Sequence, residues 1–242
     1  MKRILSLSIL CFFVLTLAAN PGLSQTAQEI LKKMVEAQGG RKVFESIKDM
    51  TLSANLEMKQ QGMTGALTVY KKEPDKRRVN VEIQGFVFIQ AYDGQTAWGT
   101  NMQTFATEVL SGEEAASLKR DSLPIVSSLY PEKYGISYAY KGKEKIDNRD
   151  YFVLEESYAD GYKATVYVDP ETYLPFKTKA KTKAPLLGEA EIDQINSDYK
   201  KVNGMIIAHS IVSYTNGQEY TRITISKVSL NTGLDDSLFK MK

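Results

Sequence analysis

The sequence predicts a mainly β fold with helices (α+β): one antiparallel sheet of roughly ten strands, an N-terminal helix and one helical insert. Three observations carry this. From Met50 onward apolar residues recur at every second position, the period of a half-buried strand. Asp93-Gly94, Asp160-Gly161, Asn203-Gly204 and Asn216-Gly217 stand between such stretches, and these residue types tolerate the positive φ of tight hairpin turns. Links this short join antiparallel neighbours, and no Gly/Ser-rich or Pro-rich linker divides the chain.

Residues 1–24 read as an export signal. Lys2 and Arg3 open it, Ile4–Ala19 is its apolar run, and Gly22-Leu23-Ser24 is a small-residue cleavage site, with cutting expected between Ser24 and Gln25. The run is shorter than the roughly 20 residues of a spanning helix. Leu10 stands before Cys11, where lipidation would want a small residue. The remaining residues, 25–242, are long enough for one domain with a substantial core, and they carry 29 basic and 29 acidic side chains. That neutral balance argues against nucleic acid as a partner. The single cysteine leaves with the signal, so the exported chain relies on its core and not on disulfides.

The first element is a helix over Ala27–Gln38. Ile30, Leu31, Met34 and Val35 share one face, with Glu29, Lys32, Lys33 and Glu36 opposite, and Gly39-Gly40 ends it. A short helix over Lys42–Lys48 has Val43, Phe44 and Ile47 as its apolar stripe. Strands follow: Met50–Met58, then one containing Leu67 and Val69, then Val79–Ile83 after the charged loop Lys71–Arg78. Ser111–Tyr130 interrupts the sheet, opening with the capping-box spacing of Ser111 and Glu114 and carrying Leu118, Leu123, Ile125, Val126 and Leu129. Strand signals resume at Ile136–Tyr140, Tyr151–Ser157, Tyr162–Asp169, Phe176–Ala184, Glu191–Lys201, Met205–Tyr214 and Glu219–Leu230.

Gly85–Gly99 (GFVFIQAYDGQTAWG) is the most informative stretch. Phe86, Phe88 and Tyr92 point to one face, Val87, Ile89 and Ala91 to the other, and the only tryptophan, Trp98, lies on the return strand. A strand apolar on both faces needs a core on one side and a lid, partner or ligand on the other. Phe86, Phe88, Trp98, Met102 and Phe105, with Ile125, Val126 and Leu129 of the insert, are therefore the candidate lining of a second apolar space. A permanently packed insert would use the same residues.

Catalytic chemistry is hard to assemble from this inventory. His209 is the sole histidine and lies in an alternating strand, where a structural role is the commoner one. No nucleophile-elbow, zincin or phosphate-loop motif occurs, and a metal site would need unusual carboxylate ligation. Glu155 and Glu156 are adjacent, so in a strand they face opposite sides and are no catalytic pair. Lys177, Lys179, Lys181 and Lys183 share one strand face. They suit an anionic surface, or more simply an edge strand protected by charge. Nine tyrosines lie between Tyr130 and Tyr173, fitting either an aromatic platform or ordinary half-buried strands.

AQEILKKMVEAQGG, AYDGQTAWG, YVDPETYLPFKTK, DYKKVNGMIIAHSIVSY and SLNTGLDDSLF follow one another over nearly the whole chain beyond the signal. In this order and spacing the chain resembles the periplasmic lipoprotein-carrier family, the LolA/LolB-like outer-membrane lipoprotein-sorting proteins. It departs from the pattern in lacking a proline near Ala208. The resemblance implies a strongly curved, incomplete antiparallel β-barrel with helices covering its concave face. It implies a periplasmic carrier without cofactor that holds lipoprotein acyl chains or lipid and moves them towards the outer membrane. Membrane-bound donor and acceptor proteins would be its partners, and we expect a monomer. No ligand-contacting arginine is transferred, because neither Arg77 nor Arg78 stands in a matching motif. The expectation is therefore a carrier and not an enzyme. A periplasmic protein-binding or sensor module built on the same sheet is the alternative, and a hydrolase a distant third.

Overall fold

The structure is a computed structural model that describes residues 26–184 and 188–241. The expected export signal and its cleavage point lie outside the described residues. Two short helices come first, α1 (Ala27–Ala37) and α2 (Arg41–Ser46). Strands β1 (Asp49–Met58), β2 (Met63–Lys72), β3 (Lys76–Ile83), β4 (Phe86–Tyr92), β5 (Ala97–Thr100) and β6 (Thr107–Val109) follow. The insert holds α3 (Gly112–Asp121) and two 3₁₀ turns, Ile125–Ser128 and Pro131–Tyr134. Then come β7 (Ile136–Ile146), β8 (Arg149–Tyr158), β9 (Lys163–Val168), β10 (Pro175–Ala184), β11 (Gly188–Val202), β12 (Met205–Thr215) and β13 (Gln218–Leu230).

All thirteen strands form one antiparallel sheet in the order β6-β5-β4-β3-β2-β1-β13-β12-β11-β10-β9-β8-β7. The chain enters in the middle at β1 and runs outward to the edge β6. The insert then carries it to the opposite edge β7, and the later strands run back to β13, which pairs with β1 from Met50↔Leu230 to Met58↔Thr221. The sheet is curled and unclosed, as expected, and its two free edges are joined by the insert.

Turn chemistry sets most registers. Asn203-Gly204 and Asn216-Gly217 are two-residue hairpins with both residues at positive φ. Gln84-Gly85 and Asp147-Asn148 do the same, and the second extends β7 and β8 well past the expected strand ends. Asp93-Gly94 differs from expectation. Tyr92 pairs with Ala97 across a four-residue loop, in which Asp93 Oδ1 accepts the N–H groups of Gln95 (2.9 Å) and Thr96 (2.7 Å). The capping box is also displaced: Ser111 takes the N-cap position of α3 without a side-chain bond, while Thr26 and Glu29 cap α1 reciprocally. The edge strand β6 has no alternation to betray it.

The lysine stripe belongs to an interior strand, contrary to the edge-strand expectation. β10 lies between β9 and β11, whose Asp193 and Glu191 meet Lys177 (2.6 Å) and Lys179 (2.8 Å). Acidic residues at the same period of two on β11 are the reason: opposite charges across a strand pair are favourable where like charges would repel.

Side-chain alternation separates an inner face, on which the helices pack, from an outer one. α1 lays Ala27, Ile30 and Met34 on Phe152, Leu154, Val166 and Val168 of β8 and β9. α3 lays Leu118 on Tyr92 and Ala97. On the outer face the C-terminal residues 231–241 run back over the sheet. Asp49 accepts the N–H groups of Thr232 (2.7 Å), Gly233 (2.8 Å) and Leu234 (3.4 Å) and the Thr232 hydroxyl. Lys72 and Lys76 hold Asp236, and Arg78 donates to Leu238 O.

Candidate functional site

The inner face between the two helical covers is a continuous apolar floor. Ala54, Leu56, Met58, Leu67 and Ile225 form its buried base, and Leu52, Val69, Val79, Val81, Ile83, Ile211, Ile223 and Val228 surround it half-buried. Register explains the continuity. One cross-strand row runs Asn196, Ile211, Ile223, Leu56, Gly65, Ile83, Phe86 through β11, β12, β13, β1, β2, β3 and β4. At about 4.8 Å per strand that row is on the order of 29 Å long. Gly65 keeps it smooth, since a Cβ there would stand 2.2 Å from Glu82 O. The alternation that marked these residues as strand was legible in the sequence. That their inner side is only partly covered was not, because coverage depends on where the helices land.

The row ends in an aromatic lip. Phe105, from the β5–β6 loop, places its ring 5.1 Å from Phe86 and 5.8 Å from Phe88. Phe86, Phe105 and Met102 are 54%, 52% and 46% exposed. Val87, on the opposite face of the same hairpin tip, is 47% exposed. The tip of the two-sided hairpin therefore stands in solvent, unlike the expectation that something covers both faces. Only its inner end has a roof. Trp98 is 3% exposed and lies on the outer face, opposite Ala91, with its Nε1–H donating to Phe239 O of the C-terminal segment at 2.8 Å.

The remaining candidates sit in the insert. Ile125, Val126 and Leu129 are half-buried. Leu129 joins Leu31 and Val35 of α1 along a groove of about 640 Å³, rimmed by Lys32, Arg41 and Lys133. Arg41 donates to the Tyr130 hydroxyl, which donates to Glu45 at 2.9 Å. The sequence-derived set is thus divided among three places: a lip, an insert and, for Trp98, the outer face.

Polar contacts fasten the insert to both halves of the sheet. On one side Lys71 Nζ donates to the carbonyl oxygens of Asp121 (3.1 Å) and Leu123, Arg77 pairs with Asp121 at 3.5 Å, and Ile125 N donates to Glu73 at 2.9 Å. Burial beneath the insert pulls the Lys71 ammonium down to about 8, with Glu73 and Asp121 opposing and Arg77 adding to the effect. Burial likewise raises Glu73. On the other side Arg120 binds Asp160 and Glu113 and lies 3.8 Å from the Tyr162 ring centroid. Below it, Tyr138 donates to Glu156 at 2.5 Å, and burial together with that carboxylate raises the Tyr138 and Tyr158 hydroxyls.

The residues weighed as catalytic candidates are placed apart. His209 is buried, with Nδ1 2.9 Å from Ile207 O. Glu155 faces outward to Lys141, away from Glu156. Among the described residues no group of three or more His, Cys, Asp or Glu could hold a metal ion. No described helix is long and apolar enough to cross a membrane.

In sequence, no family model and no curated protein matches this chain. In structure, it is similar to a LolA superfamily protein from Nitrosomonas europaea, at a TM-score of 0.60 and 16% identity, over 90% of this chain and 99% of that one. A DUF1329 family protein from Desulfovibrio piger aligns at 0.60 and 14%, over 88% and 97%. A domain from Vibrio parahaemolyticus named for outer membrane lipoprotein sorting aligns at 0.57 and 18%, over 88% and 97%. An unclosed antiparallel sheet, curled around helices and aligned nearly end to end with these neighbours, is the LolA-superfamily fold, and this chain has it.

Proposed function

We propose that this protein is a non-catalytic carrier that shelters the acyl chains of lipoproteins or lipids on its inner face. The single observation behind this is the apolar floor, a buried base ringed by half-buried side chains that run out to an exposed aromatic lip. Contiguous apolar surface of this kind marks a place that something apolar occupies. The energetics explain the need. Two acyl chains hold about thirty methylenes, and their exposure to water costs on the order of 20 kcal/mol at about 0.8 kcal/mol each. Free diffusion is excluded, so a sheltering face is required.

In this reading Phe86, Phe88, Met102 and Phe105 form the lip, and Ile125, Val126 and Leu129 belong to the cover. Trp98 secures the C-terminal segment. The chain works in the periplasm as one domain, residues 25–242, after removal of residues 1–24. It receives its cargo from a membrane-bound donor and passes it to an acceptor towards the outer membrane. The exposed Phe86, Val87, Met102 and Phe105 favour a second reading, a protein-binding module whose partner covers that tip.

Native mass spectrometry of protein purified from its own host, with displacement of a fluorescent fatty acid, separates the two. An acyl-bearing adduct and probe binding are expected. Replacing Phe86→Ser and Phe105→Ser together should weaken the probe about tenfold while stability changes by under about 0.5 kcal/mol per site, as at other exposed positions. Finding no adduct and no probe binding overturns the carrier. A stoichiometric protein partner without lipid then favours the module.

A further inference from the structure

The inner face has a second part whose chemistry differs from the floor. Where residues 178–180 of β10, 192–196 of β11 and 211–215 of β12 cross it, the inward residues are Thr178, Gln194, Asn196, Ser213 and Thr215, with Ala180, Ile192 and Ile211 between them, none of them charged. Thr178, Gln194 and Ser213 lie in one cross-strand row, and Asn196 heads the row that leads through the floor to Phe86. The outward residues of β10 and β11 beside them include Lys177, Lys179, Lys181, Glu191 and Asp193. Charge is thus directed outward at a period of two, while uncharged hydrogen-bonding groups point in.

Thr178, Gln194, Asn196 and Ser213 are half-buried and have capacity to spare. Gln194 Nε2 donates to Asn196 Oδ1 at 3.1 Å, which leaves the Gln194 oxygen and the Asn196 amide hydrogens available. The hydroxyls of Thr178 and Ser213 make no hydrogen bond to a described residue. A solvated wall has no reason to exclude charge, and a wall packed against the protein itself would be apolar or internally satisfied. Charged side chains elsewhere on this face have partners: Lys71 and Arg77 under the insert, Glu156 with Tyr138, Lys200 with Asp198 at 2.7 Å, and Lys143 over the Phe152 ring.

Resting on the carrier reading, we propose that the wall of Thr178, Gln194, Asn196 and Ser213 receives the polar end of the ligand, and that this end is uncharged. The class is a lipid whose head offers hydroxyl, ester or amide groups, with its tails on the floor. An anionic head brought here would lose its water without gaining a cation, which is costly. A hydroxyl or ester exchanges its water for the wall's own donors and acceptors at little net cost.

The test uses two ligands with identical tails, dipalmitoylglycerol and dipalmitoyl phosphatidic acid, each displacing a fluorescent diacylglycerol, whose head is also uncharged, from the purified protein. The diacylglycerol is expected to displace the probe at a concentration about tenfold lower, since the two differ only in the phosphate and the uncompensated charge it brings. Ser213→Lys, which supplies a cation at the wall, is expected to reverse the order. Phosphatidic acid binding as well as or better than diacylglycerol in the unaltered protein overturns this inference and leaves the carrier standing. Displacement by neither, with no probe binding, overturns both.

Discussion

The sheet carries apolar surface on both sides, and the two sides are treated differently. On the outer face the chain seals its own surface: residues 231–241 return, Phe239 is fully buried, and the Trp98 indole N–H reaches the Phe239 carbonyl. Asp49 anchors that segment through three backbone N–H groups and a hydroxyl. On the inner face Val69, Val79, Val81, Ile83 and Ile223 stay half-buried, and the insert beside them is held by charges and hydrogen bonds near its ends. A surface meant to stay closed is closed with buried aromatic area. One meant to exchange its contents is left open, beside a cover attached by polar links that can be remade with water.

The largest expected effect breaks the sealed side. Trp98→Ala removes a buried aromatic and the hydrogen bond to Phe239 O, and should cost about 3–5 kcal/mol in urea or thermal unfolding. The probe affinity of the molecules that remain folded should change little, because Trp98 lies on the far side of the sheet from the floor. A large loss of affinity at unchanged stability would make Trp98 part of the binding face and dissolve the contrast.

Asp49→Asn comes next, at about 2 kcal/mol near neutral pH, the scale of hydrogen bonds to a charged acceptor. Burial pushes the Asp49 carboxyl up, but the donors of Thr232, Gly233 and Leu234 outweigh it and hold the group below the ordinary carboxylate range. A carboxyl lowered in the folded state stabilises above its unfolded value near 3.8 and loses that contribution as pH falls through its folded value. The advantage over Asp49→Asn should therefore be full at about pH 5 and shrink below about pH 4. Unfolding curves across that range check it.

The same division explains what the sequence disclosed. Hairpins were legible wherever Asn-Gly supplied two positive-φ residues, because that information is local. The floor residues were legible as strand, through Leu52, Leu56, Leu67, Val79 and Val81 at period two. Long-range facts were not. Nothing near Trp98 announces that Phe239 will cover it, and nothing near Met50 announces its pairing with Leu230. The lysine stripe could have been placed correctly, since Glu189, Glu191 and Asp193 lie one hairpin away at the same period and promise a charged cross-strand partner. Which apolar side chains are lip, which are floor and which are sealed depends on where the insert and the C-terminal segment dock. That is tertiary information.

The smallest expected change in global stability, and the sharpest test of the contrast, lies at Lys71. Lys71→Met takes away the donors to the Asp121 and Leu123 carbonyls but also relieves the burial of an ammonium, so these effects offset and overall stability should move by about 1 kcal/mol or less. The same change is easier to read locally: amide hydrogens of the insert should exchange up to about fivefold faster, a local opening cost lowered by about 1 kcal/mol or less. Its pH dependence has a defined sign. Lys71 sits at about 8 beneath the insert and returns towards 10.5 when the insert lifts, so the lifted state binds more protons between those values. Attachment should tighten as pH rises from about 7.5 to 9, below the range in which the buried tyrosines lose their protons. After correction for intrinsic exchange, protection of the insert should rise over that interval in the unaltered protein and stay flat in Lys71→Met. Equal slopes in the two proteins would mean that Lys71 does not govern the cover, and that the inner face is sealed as firmly as the outer one.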